Sequence, residues 1–174
     1  ESMYKKLKWE SDEYRFVKNQ AINDFIFMCF IVGNDFLPHV PSIEIIEDGI
    51  ELMISIYLQV SEEHGHLTNI DTNGNVTINK NALLYFFEII SSYEKDNLTD
   101  KLNRKASYFP DKLINKHSSK DENGWVINMN NYIDEYNKIY FGETEKKLEK
   151  ICHEYLQGLQ WVLTYYTKGC PSWN

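Results

Sequence analysis

Apolar residues recur at intervals of three and four along most of the chain, the spacing of amphipathic helices. This pattern predicts helices over about 11–32, 43–62, 80–95, 128–140 and 144–168. Ser11 offers an N-cap for the first helix, and Gly33 offers a stop that tolerates a left-handed backbone. The last turns before Gly33 are apolar on nearly every side, which predicts that this helix end is buried all round.

Two stretches depart from the helical pattern. Leu67-Thr68 and Val76–Ile78 flank Asn73-Gly74, and an Asn-Gly pair between β-forming residues predicts a short hairpin. Residues 96–124 break into polar and charged runs, which predict a weak helix around 98–106 and then a mobile loop. The fold class is therefore expected to be mainly α, a helical domain with one short β-hairpin.

Composition limits the classes of protein that fit. Of 174 residues, 43% are hydrophobic and 14% aromatic, so the chain folds or folds against something else. A net charge of −8 argues against RNA binding by this piece alone and fits a support or a carboxylate cation site. The sequence has three widely spaced cysteines, no apolar run of 18 residues and no signal pattern. We therefore expect a soluble intracellular protein. The abrupt ends predict an excerpt of a longer chain.

One turn carries the best candidate chemistry. In Gly33-Asn34-Asp35-Phe36-Leu37-Pro38-His39, Asp35 follows a buried helix and is locked between Gly and Pro, a placement that suits a magnesium ligand. The alternative is that Asn34 and Asp35 only finish a turn, as these residue types often do. One carboxylate cannot run two-metal hydrolysis, and no other acid has a spacing that points to Asp35. Glycine-rich phosphate loops, HExxH and metal-spaced Cys/His clusters are absent from the sequence.

Two segments resemble motifs of the XRN family of 5′→3′ exoribonucleases. They are Ile22–Val32 running through Gly33–His39 into Val40-Pro41-Ser42-Ile43, and Tyr155–Tyr166 followed by Gly169-Cys170-Pro171-Ser172-Trp173. The resemblance implies a fragment of a larger α/β nuclease. Residues 1–41 would end the catalytic region, and residues 42–174 would form a helical domain that supports the active site.

The resemblance also implies residue roles. Asp35 matches an acid that binds catalytic Mg²⁺ (or Mn²⁺), and Trp173 matches the region where a Trp stacks on a base of the incoming RNA. The parent enzyme would hydrolyse RNA with a 5′-monophosphate to mononucleotides, without a membrane partner. The remaining acids and the basic 5′-phosphate pocket would lie in an upstream catalytic region of the same parent chain, so the isolated fragment is expected to be inactive.

Several alternatives stay open. Leu159-Gln160-Trp161 and Gly169–Trp173 favour the cytoplasmic mRNA-decay branch, with the nuclear paralogue as the alternative. The chain could instead be a non-catalytic helical interaction module in which Asp35 is purely structural. Trp173 could simply pack, Trp161 is expected in the core, and Lys168 is a candidate contact to RNA phosphate.

Overall fold

A computed structural model describes residues 18–44, 48–105, 111–142 and 145–172. Helices and two short antiparallel hairpins make up these ranges, which confirms a mainly α fold. In chain order the elements are α1 (Lys18–Val32), α2 (Gly49–His64), β1 (Thr68–Ile70), β2 (Val76–Ile78), α3 (Lys80–Lys105), α4 (Lys112–Lys116), β3 (Ser118–Asp121), β4 (Gly124–Ile127), α5 (Met129–Tyr140) and α6 (Glu145–Lys168).

The chain divides into two compact units. The first contains the described residues up to Ile90 together with those from Leu156 onward, and the second is Ser91–Tyr155. Helices α3 and α6 each contribute residues to both units. The predicted start of the first helix before residue 18 lies outside the described residues, and the predicted domain boundary at 41/42 stays a prediction.

Helix α1 lies in the first unit and is buried along most of its last turns, as predicted. Its buried side chains are Ala21, Asp24, Phe27, Met28, Phe30, Ile31 and Val32. Ile22 and Phe25 follow the apolar spacing of this helix, yet they are 47% and 36% exposed. A helix that is apolar on nearly every side carries no periodic signal for which face turns inward.

Helix α2 begins six residues later than predicted, at Gly49. Asp48 before it has a left-handed backbone with φ 58°, and Gly49 donates its N–H to the Glu44 carbonyl oxygen at 3.1 Å. A Cβ on Gly49 would lie 2.5 Å from that oxygen. Gly49 is therefore required where the chain enters the helix.

The predicted hairpin is confirmed as β1–β2, with Thr68 opposite Ile78 and Ile70 opposite Val76. Asp71 organises its loop by accepting hydrogen bonds from the Asn73 and Asn75 backbone N–H groups, both at 2.8 Å. The Asn75 side-chain amide also donates to Asp71 Oδ2 at 2.6 Å. This bond has the largest effect, and together with the two backbone bonds it lowers the pKa of the Asp71 carboxyl.

The region predicted as a weak helix and a mobile loop is ordered wherever it is described. Helix α3 continues without a break to Lys105, and α4 and a second hairpin, β3–β4, follow residue 110. Asp111 caps α4 by accepting from the Leu113 and Ile114 N–H groups at 2.9 and 3.1 Å. The core of this second unit is Leu98, Leu102, Ile114, Ile127 and Tyr132. Strand β3 is polar and largely exposed, so it gives no alternating apolar signal.

Helices α5 and α6 lie where they were predicted. The Asn128 side chain caps α5 by accepting from the Asn131 N–H at 3.2 Å, and α6 ends at Lys168 before Gly169, whose φ is 97°. In the parts of the chain that the structure describes, no helix is both long enough and apolar enough to cross a membrane.

Candidate functional site

The turn that follows α1 is held by the Asn34 side chain. Its amide donates to the Phe30 carbonyl oxygen at 3.0 Å, and its carbonyl oxygen accepts from the Phe36 and Leu37 N–H groups, both at 2.9 Å. The Val40 N–H then donates to the Ile31 carbonyl oxygen at 3.1 Å, which returns the chain to the helix end. The turn is therefore fixed to the rigid end of α1.

Asp35 lies on this turn with its side chain exposed to solvent. Asn34, rather than Asp35, supplies the side-chain bonds of the turn. Toward the rest of the described chain, the Asp35 carboxylate has neither a hydrogen bond nor an ion pair. An exposed carboxylate on a fixed turn is a suitable hard oxygen ligand for Mg²⁺. Within the described residues no three His, Cys, Asp or Glu side chains are grouped to hold a metal, so these residues do not form a complete metal site.

The second motif packs against this turn through α6. The Phe36 ring lies edge-on to Trp161 and to Tyr165, with centroid distances of 5.2 and 5.1 Å. Trp161 and Tyr165 stack at 5.5 Å with an interplanar angle of 14°. Trp161 was predicted in the core; it packs on aromatic neighbours but stays partly exposed. The structure therefore joins two motifs that are far apart in sequence.

The residues after α6 follow the same surface. The Trp161 indole N–H donates to the Ser172 carbonyl oxygen at 3.2 Å, which anchors the peptide that precedes Trp173. Trp173 itself lies outside the described residues, so its predicted role stays a prediction. Lys168, the candidate phosphate contact, donates from Nζ to the Asn73 carbonyl oxygen at 3.4 Å and to Asn75 Oδ1.

The first unit contains a buried polar network that the sequence did not predict. Asp24 is fully buried in α1, and its Oδ2 accepts from the Tyr57 hydroxyl at 2.7 Å and pairs with His66 Nδ1 at 2.6 Å. Its Oδ1 accepts from the Thr68 N–H and hydroxyl at 2.7 and 2.6 Å. Burial, reinforced by the Asp24 charge and hydrogen bond, raises the pKa of Tyr57, so the phenol stays protonated as a donor.

This network is a structural connection between α1, α2 and β1. Asp24, Thr68 and Tyr57 have no exposed surface, so RNA has no access to them. The only sequence signal was an aspartate in the middle of an otherwise apolar helix. Such a residue needs partners when buried, but its position alone does not name them.

The chain matches a known protein family. A family model described as the Xrn1 helical domain matches residues 15–139 and 122–174, which together cover most of the chain. The chain therefore belongs to the XRN family of 5′→3′ exoribonucleases and carries its helical domain.

Three relatives illustrate the similarity. The 5′-3′ exoribonuclease 2 homolog of Drosophila melanogaster is 27% identical over 93% of this chain and 24% of its own length. The Caenorhabditis elegans homolog is 42% identical over 39% of this chain and 7% of its own length. Arabidopsis thaliana 5′-3′ exoribonuclease 2 is 62% identical over 22% of this chain and 4% of its own length. The chain thus spans about a quarter or less of these relatives.

Proposed function

We propose that the full-length protein is a 5′→3′ exoribonuclease that degrades 5′-monophosphorylated RNA to mononucleotides, with Asp35 as one ligand of Mg²⁺ (or Mn²⁺). Membership of the exoribonuclease family supports the reaction class. The observation that carries the role of Asp35 is its geometry. Its carboxylate is exposed on a turn built by Asn34, so the carboxylate is not used to hold the fold.

The residues present fit part of a metal site. Asp35 offers the hard oxygen that Mg²⁺ prefers, and the Asn34 bonds limit where this oxygen can move. In the proposal the other ligands come from an upstream catalytic region of the same parent chain. When bound, the metal would polarise the phosphate and lower the pKa of a bound water. Within this chain, Asn34 and Phe36 orient the turn that presents Asp35.

Trp173 is proposed to stack on a base of the RNA strand. The Trp161 hydrogen bond to the Ser172 carbonyl oxygen supports this, because it holds the adjacent peptide beside an aromatic surface. Base–aromatic stacking tolerates any sequence, which suits stepwise degradation. Trp173→Ala should raise KM for RNA more than it lowers kcat, and an unchanged KM would remove Trp173 from RNA binding.

The test uses the full-length protein and RNA labelled at its 3′ end, with a 5′-monophosphate, a 5′-triphosphate or a 5′-hydroxyl. We expect Mg²⁺-dependent release of single nucleotides from the monophosphorylated RNA and slow degradation of the other two. Asp35→Ala should lower kcat by at least about a hundredfold, the loss typical when one electrostatic group is removed from a reaction site. Glu122→Ala is the matched control, since Glu122 also carries an exposed carboxylate in a turn but lies in the second unit.

Near-normal kcat for Asp35→Ala would remove Asp35 from the site. A full-length protein inactive on all three RNAs would instead favour the second candidate, a non-catalytic helical interaction module. The net charge of −8 and the lack of a three-residue acid group among the described residues favour that candidate for the chain in isolation.

Cytoplasmic mRNA decay is the proposed setting, with a nuclear location as the alternative. The support is the resemblance of Leu159-Gln160-Trp161 and Gly169–Trp173 to the cytoplasmic branch. Imaging of the fluorescently tagged full-length protein at native expression distinguishes the two. Exclusive nuclear signal would contradict the cytoplasmic assignment.

A further inference from the structure

We propose that the β1–β2 hairpin braces α1 against α6 and so holds the Asp35 turn in place. Residues 66–78 form this hairpin brace. Asp24 and Gln160 are positioning residues where the brace is attached to the two helices. The effect on catalysis rests on the proposed function of Asp35, whereas the mechanical coupling does not.

The attachment to α1 is made through Thr68, the first residue of β1. The Thr68 N–H and hydroxyl both donate to Asp24 Oδ1, at 2.7 and 2.6 Å. Its carbonyl oxygen accepts from the Gln20 side-chain amide at 2.6 Å. Gln20 and Asp24 are one helical turn apart, so α1 holds every polar group of a fully buried Thr68.

The attachment to α6 is made through Gln160. Its side-chain oxygen accepts from the Ile78 N–H at 2.9 Å, and its amide donates to the Val76 carbonyl oxygen at 3.1 Å. The side chain thus pairs with β2 much as a neighbouring strand would. About two turns further along α6, Lys168 Nζ reaches the hairpin loop at the Asn73 carbonyl oxygen and at Asn75 Oδ1.

The same two helices also meet at the candidate site, which closes a ring of contacts. Phe36, directly after Asp35, packs on Trp161 and Tyr165, and Trp161 is the neighbour of Gln160 in sequence. The turn is therefore held directly by α6 and indirectly through α1, the brace and Gln160. Releasing the brace would leave the two helices joined at the turn and at the Phe30–Tyr166 ring contact, whose centroids lie 5.1 Å apart, but no longer linked through the hairpin.

The choice of a charged anchor supports a positioning role. Burying a carboxylate is costly, and a well-packed apolar side chain often stabilises a fold as well or better. Four directional contacts at Asp24, from Tyr57, His66 and Thr68, instead fix the rotation of α1 about its axis. Asp24 lies eight residues, about two helical turns, before the end of α1 at Val32, where the turn that carries Asp35 begins, so that rotation decides where Asp35 points.

The experiment compares Asp24→Asn, Gln160→Leu and the double variant in the full-length protein. Each single change should lower kcat about tenfold, which is less than the hundredfold loss that a misplacement of about 1 Å can cause. KM for RNA should change less than about twofold in each variant. Amide exchange in peptides covering 33–40, measured without RNA, should become faster in each variant. The double variant should be no worse than the poorer single variant, because releasing either attachment already frees the brace.

The control is Asn128→Ala, which removes the α5 N-cap in the second unit and should change neither kcat nor exchange in 33–40. If Asp24→Asn does not fold, Gln20→Leu, which removes the α1 bond to the Thr68 carbonyl oxygen, replaces it in the comparison with Gln160→Leu. The brace proposal would be overturned if amide exchange in 33–40 were unchanged in the single variants. It would also be overturned if the kcat losses of the two single variants multiplied in the double variant. A wild type that is inactive on RNA would defeat only the proposed function, since the exchange measurement still decides the coupling.

Discussion

Leu37 packs directly over Gly158, so that a Cβ on Gly158 would lie 2.9 Å from Leu37 Cδ2. The first residue belongs to the Asp35 turn and the second to the middle of α6. The absence of a side chain at Gly158 therefore lets the two motifs approach closely. This contact makes the packing of the turn on α6 testable.

Gly158→Val should lower the free energy of unfolding by about 1–3 kcal/mol, the usual cost of overpacking, because both Leu37 methyl groups would have to move. Chemical denaturation measures this change. The control is Gln157→Val, an exposed neighbour on the same helix, for which the expected loss is no more than about 0.5 kcal/mol. Equal stability of the two variants would show that the turn does not press on Gly158.

Asn34→Ala should loosen the Asp35 turn because it removes three hydrogen bonds, to Phe30 and from Phe36 and Leu37. We expect a loss of about 1–2 kcal/mol in unfolding free energy, since each partly exposed bond contributes little net stability. Amide exchange at Phe36 and Leu37 should become faster. Asn115→Ala, at an exposed position in α4, should change stability by less than about 0.5 kcal/mol, and slow exchange at Phe36 in Asn34→Ala would contradict the assigned role.

Glu135 should make the second unit sensitive to acid. Its carboxylate accepts from Lys116 Nζ at 2.5 and 2.7 Å and contacts His117 Nε2 at 2.5 Å, and these contacts, Lys116 first, lower its pKa below the ordinary 4.5. A lowered folded pKa gives stability that is present above 4.5 and is lost as pH falls through the folded value.

Thermal unfolding tests this prediction in Glu135→Gln. The variant should have a lower Tm than wild type at neutral pH, and the difference should shrink as pH falls below 4.5. Glu122→Gln is the control, because Glu122 is exposed in the β3–β4 turn and has no ion pair within the described ranges. A Tm difference for Glu135→Gln that grows in acid would contradict the sign of the effect.

Leu98→Ala should destabilise the second unit by about 2–5 kcal/mol, the range for emptying a buried leucine site. Leu98 is fully buried in the part of α3 for which the sequence pattern predicted only a weak helix around 98–106. Leu84→Ala, at a position 64% exposed on the same helix, should change stability by less than about 0.5 kcal/mol. Similar losses for the two variants would show that the second unit has no core at Leu98.

The sequence identified the elements whose signals are local. The amphipathic spacing of α5 and α6 and the Asn-Gly hairpin depend on residues close together in the chain. The sequence also placed Asp35 in a turn after a buried helix end. It missed β3–β4 and the full length of α3, because polar strands and a helix shared between two cores show no single periodic face.

What the tertiary structure decided is which distant residues meet. The buried face of α1, the Asp24 bonds to Thr68 and the packing of Phe36 on Trp161 all join segments far apart in the chain. No local pattern records such pairs, because each contact depends on the positions of two elements at once. The sequence thus determined a helical XRN-type chain with a candidate metal ligand, and only packing decided how the two motifs hold that ligand's turn.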